Sequence, residues 1–509
     1  MSKGIMTNSI MNAAAGMMLL ITGFLSSIVI ARLLGPEANG IIAFVLWVAA
    51  TGALVAELGT GVTLLRILPQ LKVRGLDAHR RRGFAAYLLH PVMAATVLLV
   101  AAYAGYFLNF GDEHWMSATP AVVLLTGILL FTQSIGSYTK NYFIGEQNLT
   151  AFSRITAVTS VIQLTGVVVG ASFAGLQGAL IGYIAAQIVP FAVAVRISLT
   201  RRDRCGIDDR YLVSSSVVLI FEFVVSAVFL TRPELFFLQH FQSVEAVGFY
   251  AVALSLSNIA LQLPIQLTGS LLPFYAEQRE QANGHMPLKM FEGVIRSLSY
   301  ITLPMCFGLA AIATPLIVAL YGEAFRPSGE IVSILSLGAP IFVFLQVCTQ
   351  YLLSMDRAKA RLLVAIVGAI VMVAGCVAII PLYGGVGAAI VRNCVFAVMT
   401  IFILRLMRLE RRPMEMYGVV ARVALAAAFC GLVAFLVTDA VDGVAGIVLA
   451  IAVGGIVYLA TLRLLGAVPA QDALVLQSLA GSLPMKLRSG SRRVLAWIAP
   501  VAQQSQPGE

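Results

Sequence analysis

Residues 31–61 read ARLLGPEANGIIAFVLWVAATGALVAELGTG. From Gly40 to Ala56 this stretch carries no charged side chain, and a crossing of the hydrocarbon core takes about 20 such apolar residues. Its head, Glu37-Ala38-Asn39-Gly40, returns 208 residues later as Glu245-Ala246-Val247-Gly248. At the same offset Gly61 meets Gly269 and Leu64 meets Leu272. At offset 209, Tyr142-Phe143-Ile144 meets Tyr351-Leu352-Leu353, Ala151 meets Ala360, Gly175 meets Gly384, and Gly178-Ala179 meets Gly387-Ala388. A nearly constant offset over three regions marks an internal repeat.

The rest of the chain extends the apolar pattern. Of its 509 residues 59% are hydrophobic and 11% charged, where a soluble domain has about 25% charged. Too little polar surface exists to face water, so lipid must be the solvent. The length rule predicts an all-α integral membrane protein of about fourteen transmembrane helices. The spans fall near residues 10–31, 40–65, 83–108, 119–140, 151–172, 177–198 and 212–238, then 248–275, 291–316, 328–353, 361–380, 385–405, 416–437 and 444–465. The apolar run after Lys3 is too long for a signal-peptide core and reads as the first span.

Charge tests that count. With the N-terminus placed in the cytoplasm, 29 of the 34 Lys and Arg fall on the inner side and only Arg32, Arg232 and Arg326 on the outer. Arg392 and Arg422 remain inside spans. One missed helix would scramble this asymmetry, so the positive-inside rule predicts an even count with both termini cytoplasmic. The net charge of +10 is spread over short gaps, which argues against a nucleic-acid partner.

The repeat unit spans about six helices. Six is even, so both copies enter from the same side as parallel lobes about an axis along the membrane normal. The expected organisation is an N-terminal lobe at residues 1–204, a second lobe at 205–412, an extra helix pair at 413–466 and a basic cytoplasmic tail at 467–509. Enzyme signatures such as the P-loop, GxSxG and HExxH do not occur, so no catalytic residue is expected. None of the six cysteines forms a CxxC pair, and no metal site or cofactor is expected.

Several stretches carry a family resemblance: residues 31–61 above, VGFYAVALSLSNIALQLP at 247–264, PLIVALYGEAFRPSGEIVSILSLGAPIFVFLQVCTQYLLSMDRAKA at 315–360, and YGGVGAAI at 383–390. The chain resembles the Wzx-type oligosaccharide flippases, within the superfamily that also holds drug exporters and the lipid II flippase. That resemblance implies a bacterial inner-membrane flippase. It would carry undecaprenyl-pyrophosphate-linked oligosaccharide repeat units by alternating access, for surface or exopolysaccharide synthesis. It also implies two six-helix lobes around a central cavity, and a polymerase and other polysaccharide-assembly proteins as candidate partners besides membrane lipid. A lipid II flippase or multidrug exporter of the same fold is the alternative, with a membrane glycan polymerase behind it. Glu234, after Pro233, stands where the family usually has Asp near the outer end of the seventh helix.

Ionisable and amide side chains inside spans are the site candidates, since a buried charge costs about 2.5–3.5 kcal/mol even on the lenient insertion scale. Arg392, eight residues from Gly384 and so about 12 Å along a helix, is the candidate ligand for pyrophosphate. Arg232 and Arg32 are candidates for the outer mouth of the cavity. Asn258, Gln262 and Gln266 recur at i, i+4, i+8 and so share a helix face suited to sugar hydroxyls. Glu57, Glu222 and Glu234 are candidates to couple transport to Na⁺ or H⁺. Arg32 and Arg232 have a plainer reading as side chains that snorkel to the interface, and the others as interhelical hydrogen bonds or ion pairs.

Overall fold

The computed structural model describes residues 3–110, 119–206, 221, 224–269, 275, 288–355, 357–407, 414–469, 472 and 497. Among these residues there are twelve α-helices and no strand. They are α1 (Lys3–Ala56), α2 (Thr60–Val73), α3 (Ala78–Phe110), α4 (Pro120–Gly145), α5 (Leu149–Ser198), α6 (Glu234–Phe241), α7 (Val244–Gly269), α8 (Leu288–Tyr321), α9 (Ser328–Ser354), α10 (Ala358–Met407), α11 (Met414–Ala440) and α12 (Gly443–Leu464).

Ten of these helices are long and apolar enough to cross a membrane. Three exceed one crossing: α1, α5 and α10 run 54, 50 and 50 residues, and 50 helical residues extend about 75 Å. Each breaks at a glycine with positive φ: Gly35 (φ 81°), Gly175 (φ 57°) and Gly384 (φ 53°). Only glycine takes that region without strain. Counted as two crossings apiece, the three long helices bring the described crossings to thirteen. The span expected at 212–238 lies largely outside the described residues. The chain is therefore a multi-pass membrane protein of the expected class.

One expected span is not continuous. Instead of a single helix over 40–65, α1 stops at Ala56 and α2 starts at Thr60. Between them Leu58 (φ 49°) and Gly59 (φ 70°) are both left-handed. The Thr60 hydroxyl caps the break by donating to the Glu57 carbonyl at 2.6 Å.

The repeat is visible in the backbone. Gly175 and Gly384, matched at offset 209, share one unusual conformation: φ 57°, ψ −135° and φ 53°, ψ −131°. Gly40 and Gly248, matched at offset 208, face each other reciprocally. A Cβ on Gly40 would fall on the Val244 carbonyl, and one on Gly248 on the Pro36 carbonyl. The Asn39 amide nitrogen donates to the Gly248 carbonyl at 3.2 Å across the same contact. Lipid gives helices no hydrophobic reason to associate, so such close backbone approach at small residues supplies the packing.

Contacts divide the chain into two compact units, residues 1–252 with 362–391 and residues 253–361 with 392–509. In the first, Leu64, Leu68, Phe84, Leu89, Tyr138 and Ile197 form a core joining α2, α3, α4 and α5. The Tyr138 hydroxyl donates to the Ala85 carbonyl at 2.7 Å. A two-pronged Arg81–Glu146 pair at 2.9 Å fastens α3 to the end of α4. In the second, Tyr300, Val423, Ala427, Tyr458 and Leu462 join α8, α11 and α12.

Candidate transport site

The first unit holds four of the expected charged residues. Glu57 is 5% exposed at the α1–α2 break. Its Oε1 accepts from the Asn141 amide nitrogen at 2.9 Å and from the Ser137 hydroxyl at 3.3 Å, both on α4. Glu234 opens the short helix α6 and is fully buried. Just before it the chain is non-helical at Thr231 and Arg232, and Arg232 is exposed with φ 61°. The Trp47 indole donates to the Thr231 carbonyl at 3.2 Å, tying this break to α1. Arg32 is exposed on α1, three residues before the Gly35 kink.

The second unit holds Arg392, Asn258 and Gln262. Arg392 is half-buried on α10, with its guanidinium carbon 5.5 Å from the centre of the Phe396 ring. Next to it the Asn393 amide donates to the Ile334 carbonyl of α9 at 2.6 Å. Gly338 accepts this crossing because any Cβ there would fall on the Asn393 amide. Asn258 and Gln262 are both half-buried on α7. The Gln266 side chain and Glu222 lie outside the described residues. Glu57 is held by donors of α4, while Glu234 is the first residue of α6, directly after the non-helical Thr231 and Arg232.

Two features escaped the sequence reading. The first is the pair of α4 donors to Glu57, whose only trace is the i, i+4 spacing of Ser137 and Asn141. The second is a buried ion pair in the second unit. Arg296 of α8 makes a two-pronged bond to Asp472, Nη2 to Oδ1 at 2.8 Å and Nε to Oδ2 at 2.9 Å. The Tyr300 hydroxyl lies 2.9 Å from the same carboxylate, and the Tyr458 hydroxyl donates to the Tyr300 carbonyl at 2.8 Å. Residues 467 and 472, at the start of the stretch expected as a basic cytoplasmic tail, are thus docked on α8. An apolar groove lies alongside, lined by Leu298, Thr302, Leu303, Pro340, Phe344 and Val420.

Thirteen described crossings, a two-copy repeat and charged side chains held within the helices define a polytopic, all-α membrane protein. A family model described as "Polysaccharide biosynthesis protein" matches residues 29–330, more than half of the chain, and the chain belongs to that family. The fold is similar to those of solved flippases and multidrug transporters. The lipid II flippase MurJ in an inward closed conformation superposes with a TM-score of 0.71 at 14% identity, over 90% of this chain and 98% of that one. An inward-facing multidrug resistance MATE transporter gives 0.59 at 14%, over 79% and 100%. A transporter of the same superfamily from Pyrococcus furiosus gives 0.54 at 15%, over 81% and 97%. No curated protein matches the chain.

Proposed function

We propose that this protein is a flippase for undecaprenyl-pyrophosphate-linked oligosaccharide repeat units in a bacterial inner membrane, with both termini in the cytoplasm. The observation that carries the reading is the polysaccharide-biosynthesis family match over residues 29–330 on a chain with the fold of a lipid flippase. Moving such a lipid needs no covalent chemistry. It needs a hydrated, cationic path for a pyrophosphate through about 30 Å of hydrocarbon, opened to one side at a time.

In this reading the six-helix repeats at residues 1–204 and 205–412 are the rocking lobes, and 413–466 is an added pair. Arg392 takes the pyrophosphate, for which a guanidinium offers two parallel N–H bonds. Asn258, Gln262 and Gln266 take sugar hydroxyls, and Arg32 and Arg232 serve the outer mouth. The apolar groove beside α11 suits a hydrocarbon chain and would receive part of the polyprenyl tail.

Superposition on the lipid II flippase covers more of this chain, 90%, than on the MATE transporter, 79%, so lipid II is the second cargo considered. Deletion of the gene separates the readings. The proposal expects loss of surface or secreted polysaccharide, with linked repeat units held on the cytoplasmic leaflet. Linked single units on the outer leaflet would indicate a polymerase instead. Arrested peptidoglycan with normal polysaccharide would indicate lipid II, and changed drug tolerance alone an exporter.

A further inference from the structure

Glu57 is buried where it is expensive to keep a charge, at a break that interrupts a span. A carboxylate removed from water must be paired, hydrogen-bonded or neutralised. Here its Oε1 accepts from two neutral donors, Asn141 and Ser137. Its other oxygen lies over Gly61, where an added Cβ would come within 3.1 Å of it. The same Cβ would fall on the Asn141 amide. The helices on either side press closely again at Gly145, where a Cβ would lie 2.9 Å from the Leu64 carbonyl. One turn from Ser137, the buried Ser134 hydroxyl has no hydrogen-bond partner among the described residues. The carboxylate is therefore a buried polar link between the α1–α2 elbow and α4.

We propose that Glu57 is a proton-binding site that holds the α1–α2 elbow against α4 and releases it on protonation. As a carboxylate, it receives charge-assisted hydrogen bonds. As a neutral acid it receives ordinary ones, about half as strong. The step moves one proton from water to a carboxylate oxygen and back, with nothing oxidised or reduced. The elbow is built to move, since left-handed Leu58 and Gly59 leave α1 and α2 as separate helices.

The occupant is a proton rather than a metal cation. Asn141 presents its amide nitrogen to the carboxylate, and turning its oxygen there would set like partial charges together. The charged and titratable groups that act on Glu57 are Lys140 and Tyr138 of α4. Lys140 is exposed, and the Tyr138 hydroxyl is committed to Ala85. On α2, Lys72 is engaged with the Glu146 carbonyl at 3.3 Å.

The test needs no transport substrate, so its failure and the failure of the flippase reading are distinguishable. Purified protein in lipid nanodiscs is titrated by infrared difference spectroscopy in buffers without Na⁺. Spin labels at Val73→Cys and Gln147→Cys, in a background free of native cysteines, report the α2–α4 separation. Acid should raise the carbonyl band of a buried protonated carboxyl and broaden the separation. Glu57→Gln should abolish the band and give the broad separation at every pH. Ser137→Ala, which keeps the acid, should move the band to higher frequency because the carbonyl loses a donor. A band that survives Glu57→Gln, a band unmoved by Ser137→Ala, a separation indifferent to pH, or Na⁺ at constant pH producing the same broadening would each overturn the proposal.

Discussion

Arg392 and Asp203 show how differently charges are handled along this chain. Arg392 lies over the Phe396 ring, within a span, and is the residue proposed above to take the pyrophosphate. A bond to a charged group is worth about 1.5–3 kcal/mol, so Arg392→Ala should cut polysaccharide output by roughly ten- to a hundredfold. Arg392→Lys keeps the charge without the fork and should retain part of the output. Membrane abundance must be measured beside output. A fall in abundance that accounts for the lost output would assign Arg392 to packing. Asp203 lies outside the spans, where Arg80 donates to it at 2.8 Å. That hydrogen bond, helped by the Cys205 backbone N–H, holds its carboxyl below the usual aspartate range. A depressed value means that the link is present above the ordinary aspartate pKa, about 3.9. It is lost as pH falls through the lowered value. Proteolytic cutting of the 199–206 loop should therefore rise only in strong acid, and Arg80→Gln should raise it at neutral pH.

At the scale of elements, the crossing of α1 with the start of α7 makes the strictest demand on sequence. Gly40 and Gly248 leave each other no room for a Cβ, so Gly248→Ala forces two backbones apart. Overpacking of this kind costs about 1–3 kcal/mol, which should appear as a lower thermal midpoint in detergent. Gly105→Ala, where nothing lies within 4 Å of the added atom, is the control and should leave the midpoint unmoved. These matched glycines were legible in advance because the repeat copies its punctuation, and the spans were legible because lipid imposes a length and an absence of charge. The break at 57–59 was not, since the left-handed backbone of Leu58 and Gly59 leaves no mark in the pattern of apolar residues. Nor was the docking of the tail. Arg296 stands near the end of a span and counts as a loop charge, and Asp472 is 176 residues away. Breaking a buried pair strands its partner at about 3–5 kcal/mol. Asp472→Asn should thus lower membrane abundance, and Arg296→Met combined with Asp472→Leu should recover much of it. Equal loss in single and double variants would show that the tail, rather than the pair, is what matters.

For the whole molecule, the decisive quantity is which side of the membrane each end of the bundle faces, because the proposed flippase activity is directional. The fold fixes the bundle without fixing its orientation; the charges supply it. The 66–82 segment alone carries Arg66, Lys72, Arg74, Arg80, Arg81 and Arg82. Translocating that many cations against a membrane potential costs about 2.3 kcal/mol per charge per 100 mV. The segment joining α3 to α4 carries Asp112 and Glu113 and no Lys or Arg between residues 110 and 120. The expected arrangement therefore keeps residues 66–82 in the cytoplasm and sends residues 111–118 outside. In a cysteine-free background, a membrane-impermeant thiol reagent applied to sealed cells should label Asp112→Cys and spare Arg82→Cys, which is exposed on α3. After permeabilisation both should react, which rules out burial as the reason for protection. The repeat strengthens the test. Two copies entering from the same side require Gly175 and Gly384, equal in conformation, to turn at the same face. Labels at Phe173→Cys and Leu382→Cys, both highly exposed, should accordingly react together, and on the same side as Asp112→Cys. Reaction of Arg82→Cys in sealed cells would reverse the bundle and with it the direction of transport. Opposite labelling at the two matched turns would break the parallel repeat on which alternating access depends.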